Sequence, residues 1–137
     1  MAVIEVISTI RSSGGDYTTL SAWEAGENTD LTSWVAHNHG GITGSISVGD
    51  TVTGNSSGAT GTVKWITTSL IVIEVTSGTF TATEVIYETV SVNYVTSSSI
   101  NTTDDIACTA ECYDDWASGL SDSVTITGWT VSSTRYI

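Results

Sequence analysis

Proline is absent from the chain, although average usage would supply about 5%. Turns therefore fall to Gly, Asn, Asp and Ser. Nothing in the sequence blocks backbone pairing at a strand edge, as proline would. Bases are almost as scarce: Arg11, Lys64 and Arg135 stand against 15 acids, for a net charge of −12. Phosphate binding needs Lys and Arg, so the charge argues against nucleic acid as a direct partner and against an anionic membrane surface. It suits a surface that keeps copies apart in solution, or the exterior of a particle. No apolar stretch approaches the length of a transmembrane helix. Met1-Ala2-Val3-Ile4-Glu5-Val6 lacks a basic start and carries Glu5 within its apolar run, so it does not read as a signal peptide. Synthesis in a cytoplasm is the expectation.

Cysteine is limited to Cys108 and Cys112. On a strand the two share one face roughly 13 Å apart, at ~3.3 Å per residue. A disulfide needs Cα atoms within ~7 Å, so a mutual bond is excluded. Two buried thiols are expected, and without a CxxC pattern zinc is not.

Hydroxyls and apolar strand formers fill the space. Ser and Thr number 45, and the mean hydropathy of +0.14 is that of a folding chain rather than a disordered polyelectrolyte. Thr suits an exposed strand face, and long tracts of helix formers are missing. The fold class predicted is all-β with one short helix. Val3 to Ile10 reads as a first strand. Thr18 to Ala25 is the helix, capped by Thr18 or Thr19, with Ser21 and Glu24 spaced as a capping box, Trp23 as its anchor and Gly26 as its end. The stretch from Asp30 to Gly41 is the least regular. Residues 45–90 read as four or five short antiparallel strands forming a small barrel or curled sheet, with Phe80 folded inward. Val90 to Ile100, Ile106 to Tyr113 and Ser123 to Thr130 are further strands, the last two around a loop from Asp114 to Asp122.

Gly14-Gly15-Asp16-Tyr17-Thr18-Thr19-Leu20-Ser21-Ala22-Trp23-Glu24-Ala25 near the start forms a split signature with Ala110-Glu111-Cys112-Tyr113-Asp114-Asp115 and Val124-Thr125-Ile126-Thr127-Gly128-Trp129-Thr130 near the end. The pair resembles the N-terminal cap region of right-handed parallel β-helix proteins, many of them phage or environmental virion proteins. Between them, Gly49-Asp50-Thr51-Val52 opens a unit containing Ser57-Gly58-Ala59-Thr60-Gly61 and then Ser77-Gly78-Thr79-Phe80, Glu84 and Ile86. This unit resembles a small β module recurrent in phage structural proteins. The resemblance implies a β-helix-cap-like domain from residues 1–44 and 91–137, carrying helix 18–25, with a small β module at 45–90 inserted. The sequence stops at Tyr136-Ile137, where such proteins begin their coils, so a compact part rather than a long shaft is expected.

Chemistry has few candidates. Asp104-Asp105 and Asp114-Asp115 could supply oxygen ligands to Ca²⁺, but no EF-hand spacing is present and solvated loop acids are expected. His37-Asn38-His39 sets two imidazoles on one side of an extended segment, a spacing that can chelate a metal. No third ligand lies nearby in sequence, so no metal is expected, although a trimer axis could gather one His per subunit. A GxSxG elbow is missing, and three bases cannot furnish the groove of a β-helix lyase. Neither an enzyme nor a cofactor is expected. Trp23 and Trp129 suit a core, whereas Trp34, Trp65, Trp116, Tyr94 and Tyr113 suit a protein interface or, in competition, a sugar platform.

The reading that follows is a non-enzymatic virion structural protein of a tailed phage, most specifically a capsid decoration (cement) protein. Its expected partners are copies of itself, as a homotrimer, and the major capsid protein or another virion protein. A carbohydrate-binding module of a fibre or secreted assembly, and a subunit of an extracellular filament, are the alternatives.

Overall fold

The apolar and Thr-rich segments pair into two separate sheets in the computed structural model, which describes residues 2–119 and 122–137. The chain divides into two compact units, one built from residues 1–32 and 105–137 and the other from 33–104. Strand is the commoner regular structure in both, and α1 (Leu20–Glu27) is an eight-residue helix. Among the described residues no helix is long and apolar enough to cross a membrane.

The first unit is a three-stranded parallel sheet in the order β1 (Val3–Ile10), β8 (Asp105–Cys112), β9 (Arg135–Tyr136). β1 and β8 align in register from Val3 opposite Asp105 to Ile10 opposite Cys112. Val6, Ile10, Ile106 and Cys108 are buried, as a strand with one core-facing side requires. Thr19 caps α1 by accepting from the Ala22 backbone at 3.1 Å, so the helix runs 20–27 rather than 18–25 and Ser21 is not its cap. Gly26 does not end it. A Cβ there would lie 2.7 Å from the Tyr17 hydroxyl and 2.8 Å from its ring, so this glycine allows close packing, and the helix continues to Glu27. Trp23 anchors the unit as expected, 5% exposed and 5.6 Å from the Trp129 ring.

The segment predicted as a strand from Ser123 to Thr130 is not one. Its donors reach the helix instead: Glu24 Oε1 accepts from Thr127 N and Trp129 Nε1, both at 3.2 Å, and Asp122, just before the segment, accepts from Ser21 N at 2.9 Å. Only Thr130 keeps a bridge, to Asp30. In the preceding loop, predicted over 114–122, residues 120 and 121 lie outside the described residues, as does Met1 of the leader reading.

The second unit is a closed antiparallel barrel of six strands: β2 (Trp34–Thr43), β5 (Leu70–Ser77), β4 (Thr60–Ile66), β3 (Thr51–Gly54), β6 (Val85–Thr89) and β7 (Asn93–Asn101), with β7 returning to β2. The boundaries expected at 45 and 90 are too narrow. Residues 45–90 supply only four of the strands, and β2 and β7 on either side close the ring. Residues 30–41, expected to be irregular, contain most of β2. Closure leaves no unpaired edge in this unit. Ile46, Val52, Val63, Ile71, Ile73, Phe80, Ile86 and Val95 fill the interior, Phe80 among them at 3% exposed.

Candidate functional site, the outer face of strands 2, 6 and 7

The five aromatics expected at one interface are not brought together. Tyr113 and Trp116 belong to the first unit, where the Arg11 guanidinium lies 4.3 Å from the Tyr113 ring centre and pairs with Asp115 at 3.1 Å. Trp34 is 2% exposed, with the Lys64 ammonium 5.2 Å from its ring. An indole so enclosed is not available to a partner, which corrects its place among the interface residues. Trp65 on β4 and Tyr94 on β7 are both half-buried. Their strands stand three places apart in a ring of six, on opposite walls of the barrel.

Tyr94 does belong to a built surface. It stands directly opposite Tyr87 of β6, with Thr43 of β2 on its other side, and facing cross-strand residues share one side of a sheet. On either side, Val95 pairs with Ile86 and fills the core, so alternation sends the two tyrosines outward. A depression of about 350 Å³ lies over them, bounded by Asn55, Thr96, Val90 and Ser91. A second, of about 290 Å³, adjoins it across Tyr94 and Thr96 and is floored by Gly40, Gly41, Ile42 and Thr43. Gly41 has φ +150°, a conformation that favours glycine, and with no side chain at Gly40 or Gly41 the space over the floor stays open. The β6–β7 turn rises at one end, with Ser91 at φ 60° and Val90 and Val92 more than half exposed. Among the described residues neither phenol hydroxyl bonds a protein group. Sequence reasoning missed Tyr87, although the alternation of Val85, Ile86 and Tyr87 carried the signal.

Polar groups are also buried in the barrel. His37 is fully buried, its Nδ1 2.9 Å from Ser97 Oγ and its ring edge-on to Phe80 at 5.9 Å. Its Nε2 has no partner, and neither has that of His39, whose Nδ1 accepts from the Gly41 backbone at 3.1 Å. A register shift between Asn38 and His39 interrupts the extended alternation on which the chelating geometry depended. Among the described residues no three metal-ligating side chains gather. Neither cysteine forms a disulfide, and Cys112 is exposed where a buried thiol was expected.

Burial lowers the pKa of His37, and the Glu84 carboxylate opposes the shift without cancelling it. The unfolded chain then takes up a proton near pH 6.5 that the folded chain refuses. Stability is full above that pH and falls as the pH drops below it, by at most about 1.4 kcal/mol per pH unit for one site. His37→Gln is expected to flatten this slope between about pH 6.5 and 5. Equal slopes for the two proteins in urea titrations would show that the folded chain binds a proton at His37 as readily as the unfolded one. His39 and Glu84 are the neighbouring titratable groups against which the difference must be read.

No family model, curated protein or solved structure matches the chain.

Proposed function

We propose that the protein is a non-enzymatic structural part of a bacteriophage virion, a capsid decoration protein that associates with itself as a trimer and clamps neighbouring shell subunits. The observation that carries this reading is the border of the parallel sheet. An open sheet leaves its outer strands with unpaired backbone groups, and here β1, eight residues long, is one of them. Tyr17 exchanges backbone bonds with Thr9 and Arg11, so residues 3–8 remain as the border. Val3 is 50% exposed there, and Ile126 and Val131 add apolar surface to the same unit. A long apolar edge without proline is a template for another copy. Assembly on a shell, and the phage setting itself, are supported by the sequence resemblance and by the acidic composition.

Ten of the 15 acids lie in this unit, so like-charged copies repel one another. Association is therefore expected to tighten with salt, as screening shortens the repulsion to about 8–10 Å. Sedimentation velocity is expected to show a discrete trimer. Val3→Asp places a further negative charge on the border and is expected to weaken assembly at least roughly tenfold while the circular dichroism stays unchanged. A wild-type protein that remains monomeric to about 1 mM overturns self-association through this edge.

A further inference from the structure

We propose that the double depression around Tyr94 binds a neutral oligosaccharide, one sugar on each side of the Tyr94 ring. This goes beyond the structural role above and stands whether or not the chain assembles.

Charge is the first argument. The chain carries 15 acids and three bases, yet no charged side chain lines either depression. A polyanion would find no cation there, and a cationic ligand would find no carboxylate. Glu88, the nearest acid in sequence to Tyr87, turns its carboxylate to Asn93 and Thr89. A ligand suited to this lining is uncharged and rich in hydroxyls.

Chemistry of the lining is the second. Tyr87 and Tyr94 present ring and hydroxyl together, an apolar body with a polar tip. Asn55, Ser91, Thr96 and Thr43 surround them with short donors and acceptors. Mixed apolar and hydroxyl surface of this kind matches the two characters of a sugar, whose C–H faces are apolar and whose rim is hydroxylated.

Shape is the third. The barrel is closed, so every strand already has two neighbours, and a peptide cannot bind here by adding a strand. Volumes of about 350 and 290 Å³ lie at the lower end for small-molecule sites. Tyr94 divides the two, so the ligand must pass over a ring, as a chain of linked sugar rings can. Gly40 and Gly41 keep the second depression open, and Gly41 cannot be exchanged for a larger residue without backbone strain.

The test is an NMR titration of the purified chain with cellotetraose, maltotetraose, laminaritetraose and chitotetraose, each to about 10 mM. At least one is expected to bind, with amide shifts centred on Tyr87, Tyr94, Thr96 and Gly40. Tyr94→Ala is expected to weaken it at least roughly tenfold. Gly40→Leu fills the second depression from a position where a Cβ meets nothing within 4 Å, and so tests the groove even if Tyr94→Ala unfolds. It is expected to weaken binding by a similar factor, and Trp116→Ala is expected to leave it unchanged. No binding by any of the four sugars overturns the proposal, as do shifts centred on Trp65 or Trp116, or affinity that survives Gly40→Leu. Concentration-dependent broadening of the Tyr94 face without sugar would assign it to a second copy instead, which also overturns it.

Discussion

Replacing Glu84 with alanine is expected to destabilise the protein by about 2–4 kcal/mol, because several donors lose their acceptor at once. Glu84 is 3% exposed. Its Oε2 accepts from Ser56 N at 3.2 Å, Ser57 N at 3.0 Å and Ser57 Oγ at 2.9 Å, and its Oε1 accepts from Thr81 N at 2.6 Å. One carboxylate thus ties the β3–β4 turn to the loop that leads from Phe80 into β6. Burial alone would raise its pKa, but the hydrogen bonds from Thr81, Ser57 and Ser56 outweigh burial and hold it below the ordinary carboxylate range. The preceding residue, Thr83, has φ 63°, a conformation that a β-branched side chain adopts at a cost of about 1–3 kcal/mol. The clasp is what holds it there.

A pH signature separates this role from simple loss of packing. A depressed folded pKa means the stabilisation is present above the unfolded value of about 4.5 and is lost as pH falls through the folded value. The gap between wild type and Glu84→Ala is therefore expected to narrow below about pH 4.5. Glu84→Gln keeps the size and one acceptor, and is expected to recover part of the loss. Urea unfolding at several pH values measures all of this. A change below about 0.5 kcal/mol at pH 7, the range of an ordinary surface substitution, would mean water replaces the carboxylate without penalty.

How much of this was legible in the sequence depends on where each residue finds its partner. The bounds of β1, Val3–Ile10, are legible because an eight-residue strand declares itself locally. The barrel was legible from its Gly-rich turns and short apolar runs, but its limits were not. β2 contains His37, His39 and the Gly40-Gly41 pair, which look irregular until β5 and β7 flank them. Ser123 to Thr130 failed for the converse reason. Its alternation suits a strand, yet its donors go to Glu24, which is 103 residues away from Thr127. Glu84 stood in the recurrent module pattern, but no spacing rule says that a single acid accepts from two loops. Trp34 and Tyr94 look alike in the sequence, and only the closed ring separates a buried indole from an outward phenol.

Phe80→Ala is expected to cost about 3–5 kcal/mol, the range for truncating a large buried aromatic. Phe80 lies within the cluster formed by Val52, Val63, Ile71, Ile73, Ile86 and Val95, on strands that surround the barrel interior. These strands are held in register by backbone bonds to two neighbours each, so they cannot close inward and the cavity persists. The variant should also report on His37. The Phe80 ring meets the imidazole edge-on, and the His37 Nε2 has no partner in the intact barrel. Removing the ring opens space beside an imidazole whose Nε2 lacks a hydrogen bond, which gives water a polar anchor in a cavity otherwise lined by Val and Ile. Hydration relieves the burial that depresses the imidazole, so the His37 pKa is expected to rise toward 6.5 in Phe80→Ala. Stability lost on acidification below about pH 6.5 should shrink accordingly. The two effects make a cycle: combined with His37→Gln, Phe80→Ala should show a coupling of about 0.5–3 kcal/mol, because the residues touch. Imidazole titration by NMR and urea unfolding of the four proteins give both readings. An unchanged or lower His37 pKa in Phe80→Ala, with additive losses in the cycle, would place the cause of its depression elsewhere in the barrel wall.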